Sequence, residues 1–129
     1  MNTTILRLAD IAHARSGDKA DRSDIGLFAW EPLGYAVMLR EVNAARVAAH
    51  FAHLLGSTDA SRVSIYPLPN LLAIKLVLNG ALGGGAANSL RSDNLGKTIC
   101  AQLLRMSVEL EASQAQAVLA AVAAEIEGF

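Results

Sequence analysis

The chain has 129 residues, of which 53% are hydrophobic and 5% aromatic, and its formal net charge is −1. That length suits one domain, and the near-neutral charge with few aromatics excludes an evident nucleic-acid or anionic-membrane surface. Cys100 is the one cysteine, no signal-peptide pattern opens the sequence, and no apolar run is long enough to span a membrane. We therefore expect a cytoplasmic domain without disulfides.

Alternating hydrophobic residues over 3–12 predict a first strand, covered on both faces because neither face is wholly polar. The polar run 15–24 interrupts this pattern and is expected to form a loop. Residues 25–30 then read as a second short strand. Pro32 suits the first turn of the following helix, because the amide hydrogen that proline lacks has no helical partner there.

The next helix is predicted to begin at the cap residue Asn43 and to end at Gly56. Its apolar residues fall on a single helical stripe, namely Val47, Phe51, Leu54 and Leu55. One apolar stripe indicates a helix that packs on a core along one side.

Two apolar segments follow and predict neighbouring strands. Residues 62–68 alternate in polarity, and Pro67 and Pro69 end the pattern. Residues 71–78 are strongly apolar and broken only by Lys75, which indicates a central strand of the sheet.

The last third of the chain predicts a helix, a strand and a second helix. Ile99, Leu103 and Met106 form a helical stripe, and residues 107–110 could return as a strand. From Ser113 the pattern Ser-x-x-Gln resembles a capping box before an Ala-rich amphipathic helix. That helix could pack on the domain's own sheet or form a docking surface for a second chain.

Strands separated by helices through short connections favour an α/β (α+β) fold. We expect a two-layer ferredoxin-like sandwich, with a mixed or antiparallel sheet and helices on one face. The amphipathic helix near the C-terminus would be an addition to this core.

Charged residues are concentrated in residues 13–24, although only 18% of the chain is charged. Arg15 offers a planar guanidinium for a carboxylate or phosphate, Lys19 adds a positive charge, and Gly17 leaves backbone amides open to an anion. Three aspartates could neutralise or orient these cations, namely Asp18, Asp21 and Asp24. The segment is therefore either an anion-binding site or a solvated turn with exchangeable ion pairs.

Glycines dominate a second polar segment, residues 79–97. Gly83, Gly84 and Gly85 are costly in backbone entropy, which indicates close approach by a ligand or another backbone, or a tight irregular connection. Gly96-Lys97-Thr98 matches only the end of a P-loop, and the dinucleotide-binding fingerprint is absent. Neither motif therefore supports nucleotide binding.

Histidine and cysteine residues give further candidates. His13 adjoins Arg15 and could act as a general acid or base, or could be structural. His50 and His53 could share a helix face, but no carboxylate or cysteine accompanies them, so we expect no metal site. Cys100 lies in an apolar stripe and is expected to be packed in the core.

The run Ala12-His-Ala-Arg-Ser-Gly-Asp-Lys19 resembles the opening signature of the small ferredoxin-fold domain of AtuA-like proteins, a family named for acyclic terpene utilisation. Other matching segments are Pro69-Asn-Leu71, the strand ending at Asn79, Gly83-Gly84-Gly85, Ser89-Leu90-Arg91 and Asp93-x-x-Gly-Lys97. The resemblance divides the chain into a domain at 1–110 and a helical extension at 111–129. Ala20 and Asp24 depart from the family pattern, which has glycine and asparagine there.

The resemblance implies that the two polar segments converge as an anion-recognising edge. The ligand-binding residues that it implies are Arg15, Ser16, Gly17, Lys19, Asn79, Gly83, Gly84, Gly85, Arg91 and Lys97. His13 and Asp18 are the candidate catalytic residues. In this family the domain either follows a larger catalytic-type domain or exists as a separate short protein, and this chain resembles the separate form.

The family setting implies catabolism of branched or unusual acids, often as coenzyme A thioesters. We expect an accessory or small subunit of a two-component hydratase or lyase, with a larger AtuA-like subunit as its partner. No cofactor is implied, although a coenzyme A thioester could be the substrate. Two alternatives stay open: a homo-oligomer that binds or converts a small carboxylate or phosphate by itself, and a structural interaction domain.

Overall fold

A computed structural model describes residues 2–19, 22–52, 59–79 and 99–127. The elements in chain order are β1 (Thr3–Arg7), β2 (Ala12–Lys19), β3 (Arg22–Ala29), α1 (Pro32–Glu41), α2 (Ala44–His50), β4 (Val63–Leu68), β5 (Ala73–Asn79), α3 (residues 99–104), β6 (Ser107–Glu111) and α4 (Ala112–Glu127). The described strands form a four-stranded sheet in the order β2-β3-β5-β4 and a two-stranded sheet of β1 and β6. Every one of these pairs is antiparallel. The predicted α+β class is confirmed.

Helices α1 and α2 pack on one face of the four-stranded sheet. Ile25, Leu27, Leu76 and Leu78 alternate toward that face and are fully buried, where they join residues of α1 and α2 in one core. Alternate positions on the same strands are more exposed, and they form the second face of the sheet. The expected two-layer arrangement with helices on one face is therefore present.

The helix α4 packs on its own chain. Ala115, Val118 and Val122 are buried in the common core, and α4 contacts β1, β6 and α1. The intrachain interpretation of this amphipathic stripe is the one that the structure shows. The division of the chain at residue 110 stays a prediction.

The first predicted strand is interrupted. β1 ends at Arg7, and a 3₁₀ turn at Leu8–Asp10 separates it from β2. The Asp10 carboxylate accepts a hydrogen bond from the Arg7 amide at 2.8 Å, while the Leu8 amide donates to the Met106 carbonyl at 2.9 Å. This turn carries the chain from the two-stranded sheet into the four-stranded sheet.

The expected loop at 15–24 is wrong, because most of this segment belongs to a β-hairpin. β2 continues to Lys19 and β3 already begins at Arg22, in a register that pairs Arg15 with Gly26. Over residues 12–16 of β2, His13 and Arg15 alternate with small residues, so that the strand can place one side on the core and the other on the open face. Local charge density therefore misled the sequence interpretation.

Helix starts agree with expectation at two positions and differ at a third. Pro32 occupies the first turn of α1, and the Asn43 side-chain oxygen caps α2 by accepting from the Arg46 amide at 2.9 Å. The predicted capping box at Ser113 is wrong, because α4 begins at Ala112, directly after β6. The predicted end of α2 at Gly56 is also wrong, because α2 ends at His50 with Phe51 as its C-terminal cap residue, while Gly56 itself lies outside the described residues.

The β4–β5 hairpin supplies the edge and centre of the sheet. β5 lies between β3 and β4, as its apolar sequence predicts. The connection is a 3₁₀ turn at Pro69–Leu71, followed by Leu72 in the left-handed conformation with φ of 51°. The Leu72 carbonyl accepts from the Ala29 amide at 2.9 Å, which ties the hairpin turn to the end of β3.

Candidate anion-binding groove

A row of residues crosses the open face of the four-stranded sheet. Arg15 on β2 pairs with Gly26 on β3, Gly26 pairs with Lys75 on β5, and Lys75 pairs with Tyr66 on β4. Opposed residues of antiparallel strands share a face, so the two cations flank the glycine on one surface. Two interstrand spacings of about 4.8 Å place their α-carbons about 10 Å apart.

A groove of about 380 Å³ lies along this row. Its lining residues come from β2, β3, β5 and the β4–β5 turn, namely Arg15, Ser16, Asp24, Gly26, Phe28, Leu68, Leu71, Ala73, Ile74 and Lys75. Volume and lining suit a small molecule with an apolar part and an acidic group.

The apolar side of the groove is well exposed. Leu71 is 63% exposed and Leu68 is 41% exposed, and Tyr66, at the end of the row through Lys75, is 52% exposed. Large apolar side chains grouped on one surface indicate a contact site for a ligand or another protein. The turn ending at Leu72 is what positions Leu71 beside the groove.

The groove cations are not neutralised by ion pairs within the described residues. The ion pairs found there join Glu41 to Arg40 and to Arg46, on the helical side of the molecule. Among the described lining residues, Asp24 is acidic and Arg15 and Lys75 are cationic. This described part of the lining therefore carries a positive excess in a chain whose net charge is −1.

An aromatic group borders the groove at Phe28. His13 stacks on the Phe28 ring with centroids 5.3 Å apart, and its centroid lies 4.5 Å from that of Trp30. His13 pairs with Phe28 across β2 and β3, in the row next to Arg15 and Gly26. The candidate acid or base is thus one row away from the cations and is packed against two aromatic rings.

The structure brings some of the predicted site residues together. Arg15 and Ser16 line the groove, while Gly17, Asp18 and Lys19 continue β2 toward one end of the sheet. Lys19 pairs with Arg22, and Arg22 pairs with Asn79, so both predicted polar segments meet the sheet at this end. Five other predicted residues lie outside the described residues, namely Gly83, Gly84, Gly85, Arg91 and Lys97.

Sequence reasoning missed Lys75, Gly26 and Phe28 as groove residues. A single lysine in an otherwise apolar central strand is a usable signal, because its charge must reach solvent on one face of the sheet. A glycine inside a strand is a second signal, since it often marks close approach by a ligand or another backbone. Phe28 carries no comparable signal.

The other candidates are packed or incomplete. Cys100 is half-buried against the core, and His50 is bonded to the Gln102 carbonyl, while His53 lies outside the described residues. Across the described ranges, no group of three His, Cys, Asp or Glu side chains could hold a metal ion. The helices of the same ranges include none that is long and apolar enough to cross a membrane.

Fold and groove together define a small α+β domain with one open, cationic sheet face. The chain matches the profile of the AtuA ferredoxin-like domain over residues 6–109, and it belongs to that family. The resemblance of the Ala12–Lys19 signature and the expected ferredoxin-like fold are thereby confirmed. Comparison of the chain with curated proteins and with solved structures found no match in either set.

Proposed function

We propose that this chain is the small subunit of a two-component catabolic enzyme, and that its groove binds the acidic end of a branched-acid substrate. The observation that carries the proposal is the placement of Arg15 and Lys75 on either side of Gly26. The partner is a larger AtuA-like subunit that supplies the remaining part of the active site.

The two cations suit a carboxylate or a phosphate group of a coenzyme A thioester. Arg15 offers a planar pair of donors to a carboxylate, and Lys75 offers a compact charge from the other side. Gly26 lies between them, and its missing Cβ leaves room for the Phe28 ring, which lines the groove beside the cations.

The apolar side of the groove suits a branched carbon chain. Leu68 and Leu71 line the groove beyond the cations, and both are exposed in the isolated chain. Burial of apolar surface contributes roughly 25 cal/mol per Å², so a branched acid gains affinity there that a small inorganic anion does not. Exposed area left over after ligand binding, including Tyr66, is available to the larger subunit.

A hydratase or lyase acting next to a carboxyl group develops negative charge on that group in the transition state. Fixed cations at that position stabilise the charge as it forms. His13, one row from Arg15, is the acid or base candidate of this chain. The other proton-transfer group and the exclusion of water are assigned to the larger subunit.

Binding of isovalerate, followed by calorimetry, tests the role of the groove. The neutral isostere isovaleramide is the matched ligand control. The double variant Arg15→Gln, Lys75→Gln is expected to weaken isovalerate binding at least tenfold, about 1.4 kcal/mol, while Arg7→Gln on β1 leaves it unchanged. Equal affinity for acid and amide, or an unaffected double variant, would overturn the role of the groove.

The subunit proposal has its own test, which is co-purification from the native host. A larger AtuA-like chain in stable proportion supports it, and activity should then require both chains. Recovery of a defined homo-oligomer that converts the acid by itself would instead favour an independent enzyme built around His13 and Arg15. A complex whose activity survives the double variant would leave only a structural role for this chain.

A further inference from the structure

We propose that the chain has a second anion site, for a phosphate monoester, at the corner between α2 and the start of β6. A cavity of about 400 Å³ lies there, lined by Arg46, Ala49, His50, Arg105, Met106 and Ser107. It is separate from the groove, because α2 packs in the helical layer and the groove lies on the open face of the sheet.

Arg46 is fixed in place by the protein itself. Its Nη2 donates to the Ser107 carbonyl at 2.6 Å, and its Nη1 donates to the Glu41 carbonyl at 3.3 Å. These contacts join α2 to β6 and set the guanidinium plane before any ligand arrives. A preorganised cation loses little rotamer freedom when it binds an anion.

His50 is held in a similar way. It lies four residues after Arg46, so both side chains share one face of α2. Its Nε2 lies 2.7 Å from the Gln102 carbonyl, and because a carbonyl only accepts, Nε2 carries the hydrogen. Nδ1 is the ring nitrogen that remains for a ligand oxygen, which it meets as a donor when the ring is protonated.

Arg105 supplies a positive charge that is not used by an ion pair within the described ranges. It is exposed between α3 and β6, and its backbone amide donates to the Gln102 carbonyl at 3.1 Å. Glu41 is the acidic neighbour of Arg46, and its two oxygens lie 3.6 Å from Arg40 and from Arg46. The three arginines outnumber this one carboxylate, so the charge of these four side chains together is positive.

The chemistry of the cavity favours phosphate over a single carboxylate. Two guanidinium groups and an imidazole surround it, and a phosphate monoester offers three acceptor oxygens and a charge of roughly −1.5 to −2 at neutral pH. A carboxylate would satisfy fewer donors. Ala49 and Met106 leave an apolar wall for the organic part of the ligand.

Titration with inorganic phosphate, followed by backbone amide chemical shifts, tests the site. Saturable shifts are expected at residues 105–107 below about 10 mM phosphate. Arg105→Gln should weaken this binding about tenfold, because it removes a charge and leaves the Arg46 contacts intact. Lys75→Gln, in the groove, should leave it unchanged.

Loss of binding in Lys75→Gln with no effect of Arg105→Gln would move the phosphate to the groove and overturn the second site. Absence of saturable shifts at residues 105–107 in the unmodified chain would also overturn it. That readout needs no variant, so it decides the question even if Arg105→Gln folds poorly. Neither outcome depends on the isovalerate result.

Discussion

The Phe28 ring occupies the space above Gly26 on the open face of the sheet. A Cβ added at residue 26 would lie 2.9 Å from Cε2 of Phe28, which is closer than such atoms pack. Phe28 also stacks on His13, so the glycine sets the position of two rings that border the groove. The missing Cβ of Gly26 thus allows the Phe28 ring, and with it His13, to pack close to the two cations.

Gly26→Ala is expected to move the Phe28 ring while changing the free energy of unfolding by no more than about 1 kcal/mol. The ring end can swing away, and alanine reduces the entropy of the unfolded chain. Ring-current shifts of the His13 protons and the emission of Trp30, the single tryptophan, would report the movement. Unchanged His13 shifts would show that the ring is not displaced.

Gly34→Ala in α1 is the contrasting case. A Cβ there would meet Glu31 Oε1 at 3.1 Å and the Ile11 carbonyl oxygen at 3.3 Å, and the backbone oxygen cannot swing aside. The usual gain of about 1 kcal/mol for alanine in a helix should therefore be lost. Urea unfolding of this variant should show no stabilisation, and a clear gain would contradict the contact.

Glu31 is expected to be the most important helix cap in the described part of the chain. Its buried carboxylate accepts from the Leu33 amide at 2.7 Å and from the Gly34 amide. Glu31→Ala should lower the free energy of unfolding by about 1–2 kcal/mol, and Glu31→Gln by less, because the amide oxygen still accepts one bond.

Chemical denaturation would measure both Glu31 variants. Glu125→Ala, at an exposed position of α4, is the matched control and should change little. Equal losses at residues 31 and 125 would exclude a capping role for Glu31.

At position 72, a glycine substitution should destabilise the fold less than an alanine substitution, which is the reverse of the usual order. Its φ of 51° is unfavourable for any residue with a Cβ, while glycine adopts it freely. Leu72→Ala and Leu72→Gly both lose the side-chain contacts with the core, so their difference isolates the backbone. We expect the glycine variant to be more stable by about 1 kcal/mol in urea unfolding. If Leu72→Ala were the more stable of the two, the turn would have left the left-handed conformation in that variant.

Because of Asp59, the free energy of unfolding should decrease in acid. The Ser61 amide donates to its carboxylate at 2.9 Å, and this hydrogen bond lowers the pKa of Asp59 below its ordinary value of 3.8. The contribution to stability is therefore complete above that value and is lost as the pH falls through the lowered pKa. In Asp59→Asn, the free energy of unfolding should fall less steeply as the pH is lowered through this range. The same pH dependence of unfolding in the unmodified protein and in Asp59→Asn would contradict this role of Asp59.

The parts of the fold that the sequence predicts well are those with a strong local pattern. The apolar run before Asn79 predicts the central strand β5, and Asn43 predicts the start of α2. The hairpin of β2 and β3 was missed because its open face is polar, which makes a strand resemble a charged loop. The Glu31 cap was missed because glutamate is not a preferred capping residue.

The candidate site was predictable in part. Arg15 stands out by its local charge density, and it lies in the groove. Lys75 becomes its neighbour across Gly26 only because β3 pairs with β5 and not with β4. Sheet order is a long-range property set by packing of the whole core, and a local pattern does not contain it.

The pairing of β1 with β6 has a consequence for how the protein is made. Thr3 pairs with Glu111, so β1 has no strand partner until β6, much later in the chain, has been synthesised. The β2–β3 hairpin needs only neighbouring residues and can close much earlier. A nascent chain stalled before residue 107 should show protected amides in β2 and β3 and unprotected ones in β1. Until β6 emerges, Leu6 lacks its strand partner Val108 and is a natural point of chaperone contact.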